Sequence, residues 1–402
     1  IEYEKKLSRV KYDKLKDKIN WEYLSSNPNA SKLLEANPLK INWSNLSANP
    51  NAINLLKKRI EYLNNLTAED FDDLFFEEKI DYENLCRNPN AIDLLTERIE
   101  YERTLSSVEL DDLDYDAKIN WETLCSNPNT IDLIDPDKIN WESLSTNPNA
   151  IHLLKERIEY EKNLTRVEYK KLKDKDKINW EYLSANPNAI NLLEKRIEYL
   201  NNLTAEDFDD LGYEANIDWE NLCSNPNAID LIEKQINIDP DKIEWGFLSA
   251  NPNAIDLLKK NYDEINWSWL SLNPNAIELL RDHPTQINWS NLSLNPNAID
   301  LLKERIEYEK NLSRVKYDKL ELEYKIDWCN LSKNPNAIEL LTERIKYEQS
   351  LTRTEYIKLK NYKKIDWYNL SSNPNAIDLL KNNQDKINWY EICSNPAIFK
   401  AV

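Results

Sequence analysis

A sixteen-residue phrase recurs thirteen times along this chain with few changes, Ile-Asn-Trp-x-x-Leu-Ser-x-Asn-Pro-Asn-Ala-Ile-x-Leu-Leu. Self-similarity at a period of about 20 to 50 residues is typical of solenoids, in which each repeat buries its apolar face only against its neighbours. We predict that the aromatic residue of each copy packs in the core between repeats. These aromatic residues are Trp21, Trp43, Tyr82, Trp121, Trp141, Trp180, Trp219, Trp245, Trp267, Trp289, Trp328, Trp367 and Trp389.

The spacing of these aromatic residues defines two kinds of repeat, a short one of about 22 residues and a long one of 39. In nearly every copy Asn or Asp precedes the aromatic residue, which predicts a capped first helix. Asn-Pro then predicts the start of a second helix, because proline suits the first helical position. In long repeats the apolar spacing extends the second helix, for example from Ile53 to about Leu66, and Thr67 begins a third helix. Capping boxes, as in Thr165 with Glu168, support that third helix.

These patterns predict an all-α fold, because the chain has only two glycines and strand-rich folds depend on glycine in tight turns. We predict an α-solenoid of about thirteen tandem helical repeats that mixes two-helix units of about 22 residues with three-helix units of about 39 residues. It would form a single elongated body over residues 1–402, with a partial repeat at 1–18 and a degenerate C-terminal cap at 387–402. A leucine-rich-repeat-like fold, with Ile-Asn-Trp as a strand, is the alternative.

The net charge of −19 disfavours a nucleic-acid partner, because such proteins present a basic face. The charge is unevenly distributed among the predicted third helices. Segments 67–78, 106–116 and 204–214 are acidic, whereas 8–18, 165–177 and 352–364 are rich in lysine. Solvated helix faces explain this pattern, and contacts with different partners or between copies of the chain are the second interpretation.

The cysteines indicate a reducing compartment. Cys86, Cys125, Cys223 and Cys393 occupy a position that holds serine in other repeats, which predicts a small, partly buried side chain and no disulfide. No apolar run approaches the roughly 20 residues that span a membrane, so we expect an intracellular protein that is neither secreted nor inserted in a membrane. Residues 1–15 match 306–320 and methionine is absent, so we expect the chain to be a portion of a longer product.

The repeated phrase, as it stands at 41–56, 287–302 and 365–380, resembles tandem-repeat proteins encoded by giant nucleocytoplasmic DNA viruses of protists and algae. The resemblance covers almost the whole chain. It implies a viral origin and a location in the host cytoplasm or the virion. It transfers no catalytic residues, and the Arg-Ile-Glu-Tyr segment of the long repeats departs from the simple short-repeat pattern.

Few features suggest chemistry. The two histidines, His152 and His283, lie at unrelated repeat positions, and the sequence has no glycine-rich phosphate loop or zinc-type cluster. We therefore predict no catalytic, cofactor or metal site. The tryptophans could form a stacking surface for single-stranded bases, and the Asn-Pro-Asn row could form an amide ladder for a ligand. Trp269 lies outside the repeated aromatic position and is the candidate for an exposed contact.

We predict a non-enzymatic scaffold or adaptor that presents a repeated helical surface to a protein partner. A self-assembling or virion-associated structural protein, whose partner is the chain itself, is the alternative. A single-stranded nucleic-acid binder is the third hypothesis.

Overall fold

A computed structural model describes residues 19–202 and 216–399, and the predicted partial repeat at 1–18 lies outside them. The described residues are helical, with no strand among them, and the helices recur in a repeated arrangement, which confirms the all-α solenoid. The leucine-rich-repeat-like alternative is wrong, because Ile-Asn-Trp leads into a helix in every described repeat. Within the described ranges, no helix combines the length and apolar character needed to cross a membrane.

The first helix of each repeat begins at the aromatic residue. In twelve copies the preceding Asn or Asp caps it, as where the Asn20 side chain accepts a hydrogen bond from the Tyr23 amide at 3.1 Å. Glu244 is the exception and makes no cap bond. The first helices are Trp21–Ser26, Trp43–Leu46, Tyr82–Arg87, Trp121–Ser126, Trp141–Leu144, Trp180–Ala185, Trp219–Ser224, Trp245–Ala250, Trp267–Leu270, Trp289–Leu292, Trp328–Lys333, Trp367–Ser372 and Trp389–Ser394.

In eleven of the thirteen repeats the second helix begins later than predicted, and only the 3-10 helices at Pro128 and Pro396 begin at the proline with asparagine as the cap. Asn-Pro-Asn forms a turn, in which the Asn49 side chain accepts from the Asn51 amide at 3.0 Å, and the helix starts at Ile53 with Ala52 at its cap position. A side-chain bond to the amide two positions on is typical of an Asx turn. The second helices are Ser31–Glu35, Ile53–Leu63, Ile92–Thr104, Ile151–Lys162, Ile190–Asn201, Ile229–Ile236, Ile255–Lys260, Ile277–Asp282, Ile299–Lys310, Ile338–Ser350 and Ile377–Lys381, with 3-10 helices at Pro128–Leu133 and Pro396–Ile398.

Long repeats carry the predicted third helix. Thr67 caps Ala68–Asp72, and the capping box of Thr165 with Glu168 is formed, as are the boxes at Ser106 and Thr352. Within the described residues the other third helices are Ser107–Asp112, Arg166–Lys171, Arg314–Lys319 and Arg353–Lys358, and the predicted acidic segment 204–214 lies outside those residues. Short 3-10 helices that the sequence did not predict lead into the following repeats at Pro38–Lys40, Phe76–Glu78, Tyr115–Ala117, Pro136–Lys138, Asp174–Asp176, Pro240–Lys242, Tyr262–Glu264, Leu322–Tyr324 and Asn361–Lys363.

The chain divides into two compact units. Unit 1 comprises Ile1–Asn90 with Ile287–Val402, and unit 2 comprises Ala91–Gln286. In both units the leucines of the first and second helices and the alanine of Asn-Pro-Asn-Ala form the core, and many of them are fully buried. The single elongated body predicted over 1–402 stays a prediction.

Unit 1 brings the first and last described repeats together. Helix Trp21–Ser26 packs beside Trp389–Ser394, and the Asn27 side chain donates to the carbonyls of Cys393 at 2.9 Å and Asn395 at 3.1 Å. Sequential neighbours make the same pair of bonds. The last repeat, where a terminal cap was predicted, therefore joins another repeat through the standard interface.

Candidate functional site

The Asn-Pro-Asn row is used to join repeats. The first asparagine donates both amide hydrogens to the preceding repeat, as where Asn186 donates to the carbonyls of Ser145 and Asn147, each at 3.1 Å. The second asparagine donates to the preceding proline carbonyl, as Asn188 does to Pro148 at 2.9 Å. The amide ladder therefore exists, but its donors are occupied by backbone. The first asparagines that donate such a pair of bonds include Asn27, Asn49, Asn88, Asn147, Asn186, Asn225, Asn251, Asn273, Asn334, Asn373 and Asn395.

The repeated aromatic residues lie buried or half-buried along the stack. Trp180 is 4% exposed, and Tyr82, Trp289 and Trp328 are also buried. In long repeats an arginine of the second helix covers the ring. The Arg157 guanidinium lies 5.1 Å from the Trp141 ring centroid and 4.6 Å from that of Tyr160. An arginine guanidinium therefore covers the ring face in these repeats, and the covered face is not available for stacking with bases.

The same arginine belongs to a clasp that fastens one repeat to the next. Arg157 Nε lies 3.1 Å from Glu161 Oε1, and its Nη2 donates to the Asp176 carbonyl. Glu161 in turn accepts from the Ile178 amide at 2.9 Å, at the start of the next repeat. Sequence reasoning missed this clasp, although an arginine followed three residues later by tyrosine and four later by glutamate was its signal. Equivalent glutamates are Glu102, Glu309 and Glu348.

Burial raises the pKa of Glu161, Glu309 and Glu348, while the amide and arginine bonds oppose that rise. A folded-state pKa above the unfolded value of about 4.3 means that the folded chain binds these protons more tightly. The resulting stability is fully present below the unfolded pKa and is lost as the pH rises through the folded pKa. We therefore expect the free energy of unfolding to fall from pH 4 towards neutrality.

A triple variant that replaces these three glutamates by glutamine tests this pH dependence. Glutamine keeps the acceptor oxygen but does not ionise, so urea denaturation across the pH series should show a flatter profile than the wild type. A control that replaces the exposed Glu122, Glu181 and Glu220 by glutamine removes the same charge from the surface. Coincident profiles for the wild type and the buried triple variant would contradict the expectation.

The serine that follows the first-helix leucine relays hydrogen bonds between repeats. Ser184 Oγ donates to the Trp180 carbonyl at 2.7 Å and accepts from the Asp218 amide of the next repeat at 3.2 Å. Cysteine at this position accepts in the same way, since Cys125 Sγ lies 3.4 Å from the Asn140 amide. All five cysteines are free thiols, and the four at this position are buried.

The buried thiols should be inert. Burial raises the pKa of Cys125 to about 11 and that of Cys223 to about 12, so the reactive thiolate is scarce at neutral pH. Burial, followed by the bond to Asp366, raises the pKa of the half-buried Cys329 to about 12 as well. We expect iodoacetamide at pH 8 to label the folded chain far more slowly than the chain in concentrated guanidinium chloride, as followed by mass spectrometry. Equal labelling rates would contradict this.

The solvent-facing side of the first helices varies between repeats. We call the residues one and two places after the aromatic residue positions +1 and +2. Position +2 is often asparagine, which donates to the +1 carbonyl of the preceding repeat, as Asn221 does to Glu181 at 3.4 Å and Asn330 to Ser290 at 3.1 Å. Position +1 includes charged, small and aromatic residues. Positions +1 and +2 therefore differ more between repeats than the interface positions of the same helices do.

Trp269 lies at position +2 and is 41% exposed. Its ring centroid is 5.2 Å from that of Phe247, the +2 residue of the preceding repeat. Gly246 lies beside the indole, and a Cβ there would make an ordinary contact with Nε1 at 3.5 Å. Trp269 and Phe247 therefore form an aromatic pair on the surface of unit 2.

A cavity of about 200 Å³ in unit 2 is lined in part by the +1 residues Glu142 and Glu181. Its charged lining residues are Glu142, Glu181, Asp174, Asp218 and Lys177, and Lys177 pairs with Asp174 at 3.1 Å. Lys177 therefore offsets one of the four carboxylates, and the lining keeps an excess of three negative charges. Tyr169, Ile178, Asn179, Asn216 and Ile217 complete the lining.

The histidines are separated in the sequence and the structure gives them no shared site. His283 Nδ1 lies 3.3 Å from the Tyr262 hydroxyl, and its ring packs against Trp267. Across residues 19–202 and 216–399, no three His, Cys, Asp or Glu side chains are arranged to hold one metal ion. Comparison of the chain with protein-family models, curated proteins and solved structures found no match.

Proposed function

We propose that this chain is a non-enzymatic scaffold that binds a protein partner through positions +1 and +2 of its first helices. The observation that carries this proposal is that each repeat uses different positions for contacts with its neighbours and for its surface. The asparagines, serines and aromatic residues of the interface contact neighbouring repeats, whereas Trp269 is 41% exposed. An exposed aromatic residue is a frequent anchor in protein interfaces.

The origin of the chain and its cellular location are also part of the proposal. On the resemblance of the repeated phrase alone, we propose a viral origin and a site of action in the host cytoplasm or the virion. Nucleic acid is disfavoured as a partner by the charge of −19 and by the arginines that cover the ring faces in long repeats. Self-assembly is the second candidate, and the exposed Val108, Val167 and Val315 on third helices favour it, because they offer apolar contact points.

Panning a random peptide library against the immobilised chain tests the scaffold function. We expect families of related peptides to be enriched over a blank surface and over an unrelated protein of similar acidity. Failure to enrich any family would contradict the proposal. Sedimentation velocity over a range of concentrations tests the second candidate, which requires association that increases with concentration.

A further inference from the structure

The aromatic pair of Phe247 and Trp269 replaces hydrogen bonds that the repeat makes elsewhere. Asn45, Asn84 and Asn221 occupy the equivalent +2 position and donate to carbonyls of the preceding repeat at 3.2 to 3.4 Å. The Phe247 side chain has no donor, and among the described residues the Trp269 indole makes no such bond and remains 41% exposed. Two consecutive repeats therefore give up an interface bond and place aromatic surface in solvent. Exposed aromatic residues of this kind are frequent anchors for a binding partner.

The repeats that precede this pair carry one glutamate each at position +1. Glu122, Glu142, Glu181 and Glu220 belong to consecutive repeats of unit 2. None of the four has a lysine or arginine of the described chain within ion-pair distance, although Glu142 accepts weakly from the Asn179 amide group at 3.4 Å. By contrast, second-helix acids in the same unit are paired, as Glu194 is with Lys234 at 2.5 Å. Negative charge without a paired cation is thus concentrated at position +1 of the four repeats that precede the aromatic pair.

We propose that this face of unit 2 binds a basic linear segment of another protein, with an apolar residue anchored on Phe247 and Trp269. The inference rests on the proposed scaffold function and names its partner class. Lysine or arginine side chains would pair with the row of glutamates, and the cavity between Glu142 and Glu181 would hold one of their cationic ends. A second copy of the chain is a poor occupant, because its charge of −19 would be repelled by the same glutamates.

The repeat spacing sets the pattern of the partner. Packed helices lie about 8–10 Å apart, and an extended peptide advances roughly 3.3–3.6 Å per residue. About three residues of peptide therefore span one repeat. The matching segment has a basic residue at every third position opposite the glutamates, followed by an apolar residue at the aromatic pair.

A synthetic peptide of this pattern is the probe. It carries four lysines spaced three residues apart, then a leucine and a tryptophan, with serine and glycine elsewhere and a fluorescein label for anisotropy. We expect saturable binding to the full chain that weakens with salt, because surface charge pairs are screened. A peptide whose leucine and tryptophan are replaced by serine should bind at least about tenfold more weakly.

Variants of the chain locate the site. Trp269→Asn introduces the residue common at this position, so the fold should be retained while peptide affinity falls about tenfold or more. Tyr160→Ala, which removes an aromatic residue of similar exposure from a second helix, should leave affinity unchanged. The double variant Glu181→Gln/Glu220→Gln should weaken binding roughly three- to tenfold and flatten its salt dependence.

The charge control is Asp256→Asn/Glu278→Gln, which removes two exposed charges from second helices of the same unit. Equal weakening by both double variants would show general attraction to an acidic protein and would overturn the proposal. Peptide families that enrich in panning but bind Trp269→Asn as tightly as the wild type would overturn the proposal and leave the scaffold function standing. Self-association that Trp269→Asn abolishes would identify a second copy as the occupant, against the proposal.

Discussion

Replacing Asn186 by leucine is expected to lower the free energy of unfolding by about 3–5 kcal/mol, because an unsatisfied buried polar group costs about 1–3 kcal/mol. Asn186 is 2% exposed and donates to the carbonyls of Ser145 and Asn147. It also accepts from the Asn188 amide at 3.1 Å. Leucine preserves the approximate volume but leaves all three backbone groups without this partner. Urea denaturation followed by tryptophan fluorescence measures the loss.

The control for this prediction is Asn188→Ala. Asn188 makes one side-chain bond to the preceding repeat, to Pro148, and is exposed, so water can replace that bond. We expect a loss of about 0.5–1.5 kcal/mol. The last repeat already has Ala397 at the corresponding place, and its amide still donates to Asn395 at 3.0 Å. Losses of equal size for Asn186→Leu and Asn188→Ala would contradict the role assigned to the buried ladder.

Asn186→Asp keeps the shape of the side chain but removes its amide donor, so it tests the donor alone. A carboxylate would face two carbonyl oxygens in a buried place, so we expect its pKa to rise above the usual value of about 3.9. The protonated form can donate one hydrogen bond. Stability of this variant should therefore be greatest below the unfolded pKa and should fall as the pH rises through the folded pKa. A variant as stable as the wild type at pH 7 would contradict this expectation.

Replacing Arg157 by alanine is the second change with a large expected effect, a loss of about 3–5 kcal/mol. The substitution removes the cation between Trp141 and Tyr160 and leaves Glu161, whose side chain is 9% exposed, without its counter-ion. Breaking a buried ion pair by removing one partner is costly because the other charge stays buried. Denaturation of the full chain measures the effect.

Glu161→Leu should cost less than Arg157→Ala, about 1–2 kcal/mol. Long repeats with leucine at this position occur in the chain, where Arg59 precedes Leu63 and Arg196 precedes Leu200. Arg59 then donates from Nε and Nη2 to the Glu78 carbonyl at 3.0 and 2.5 Å. The double variant Arg157→Met/Glu161→Leu should lose less than the sum of the two single variants, because no unpaired charge remains. A loss for the double variant equal to the sum of the two single losses would contradict the pairing of Arg157 with Glu161.

Much of the local structure could be predicted from the sequence because its causes lie within a few residues. The caps of first helices depend on one side chain and an amide nearby, and even the exception at Glu244 follows from the sequence. The capping boxes of Thr165 and Thr352 are equally local. The start of the second helix was misplaced in most repeats because Asn-Pro suits both a helix start and an Asx turn, and the same side-chain bond forms in the Asx turn at Asn49 and at the 3-10 start after Asn127.

The contacts between repeats could not be predicted in the same way. The partners of Asn186 are backbone carbonyls about 40 residues earlier, and every residue has such a carbonyl, so no side-chain pattern marks them. The contact of Trp21–Ser26 with Trp389–Ser394 has no distinct signal either, because any repeat matches any other. For the candidate site, the sequence singled out Trp269, but its stacking on Phe247 and the adjoining unpaired glutamates depend on the register of neighbouring repeats.

The central claim is that unit 2 binds a basic peptide across positions +1 and +2. Hydrogen–deuterium exchange of the full chain, with and without the synthetic peptide of four lysines, a leucine and a tryptophan, tests this claim most directly. Binding of the peptide across positions +1 and +2 predicts slower exchange in the first helices Trp219–Ser224, Trp245–Ala250 and Trp267–Leu270. Exchange in the first helices Trp328–Lys333 and Trp367–Ser372 of unit 1 should not change. Protection of those unit 1 helices instead, or no protection anywhere at saturating peptide, would contradict the account.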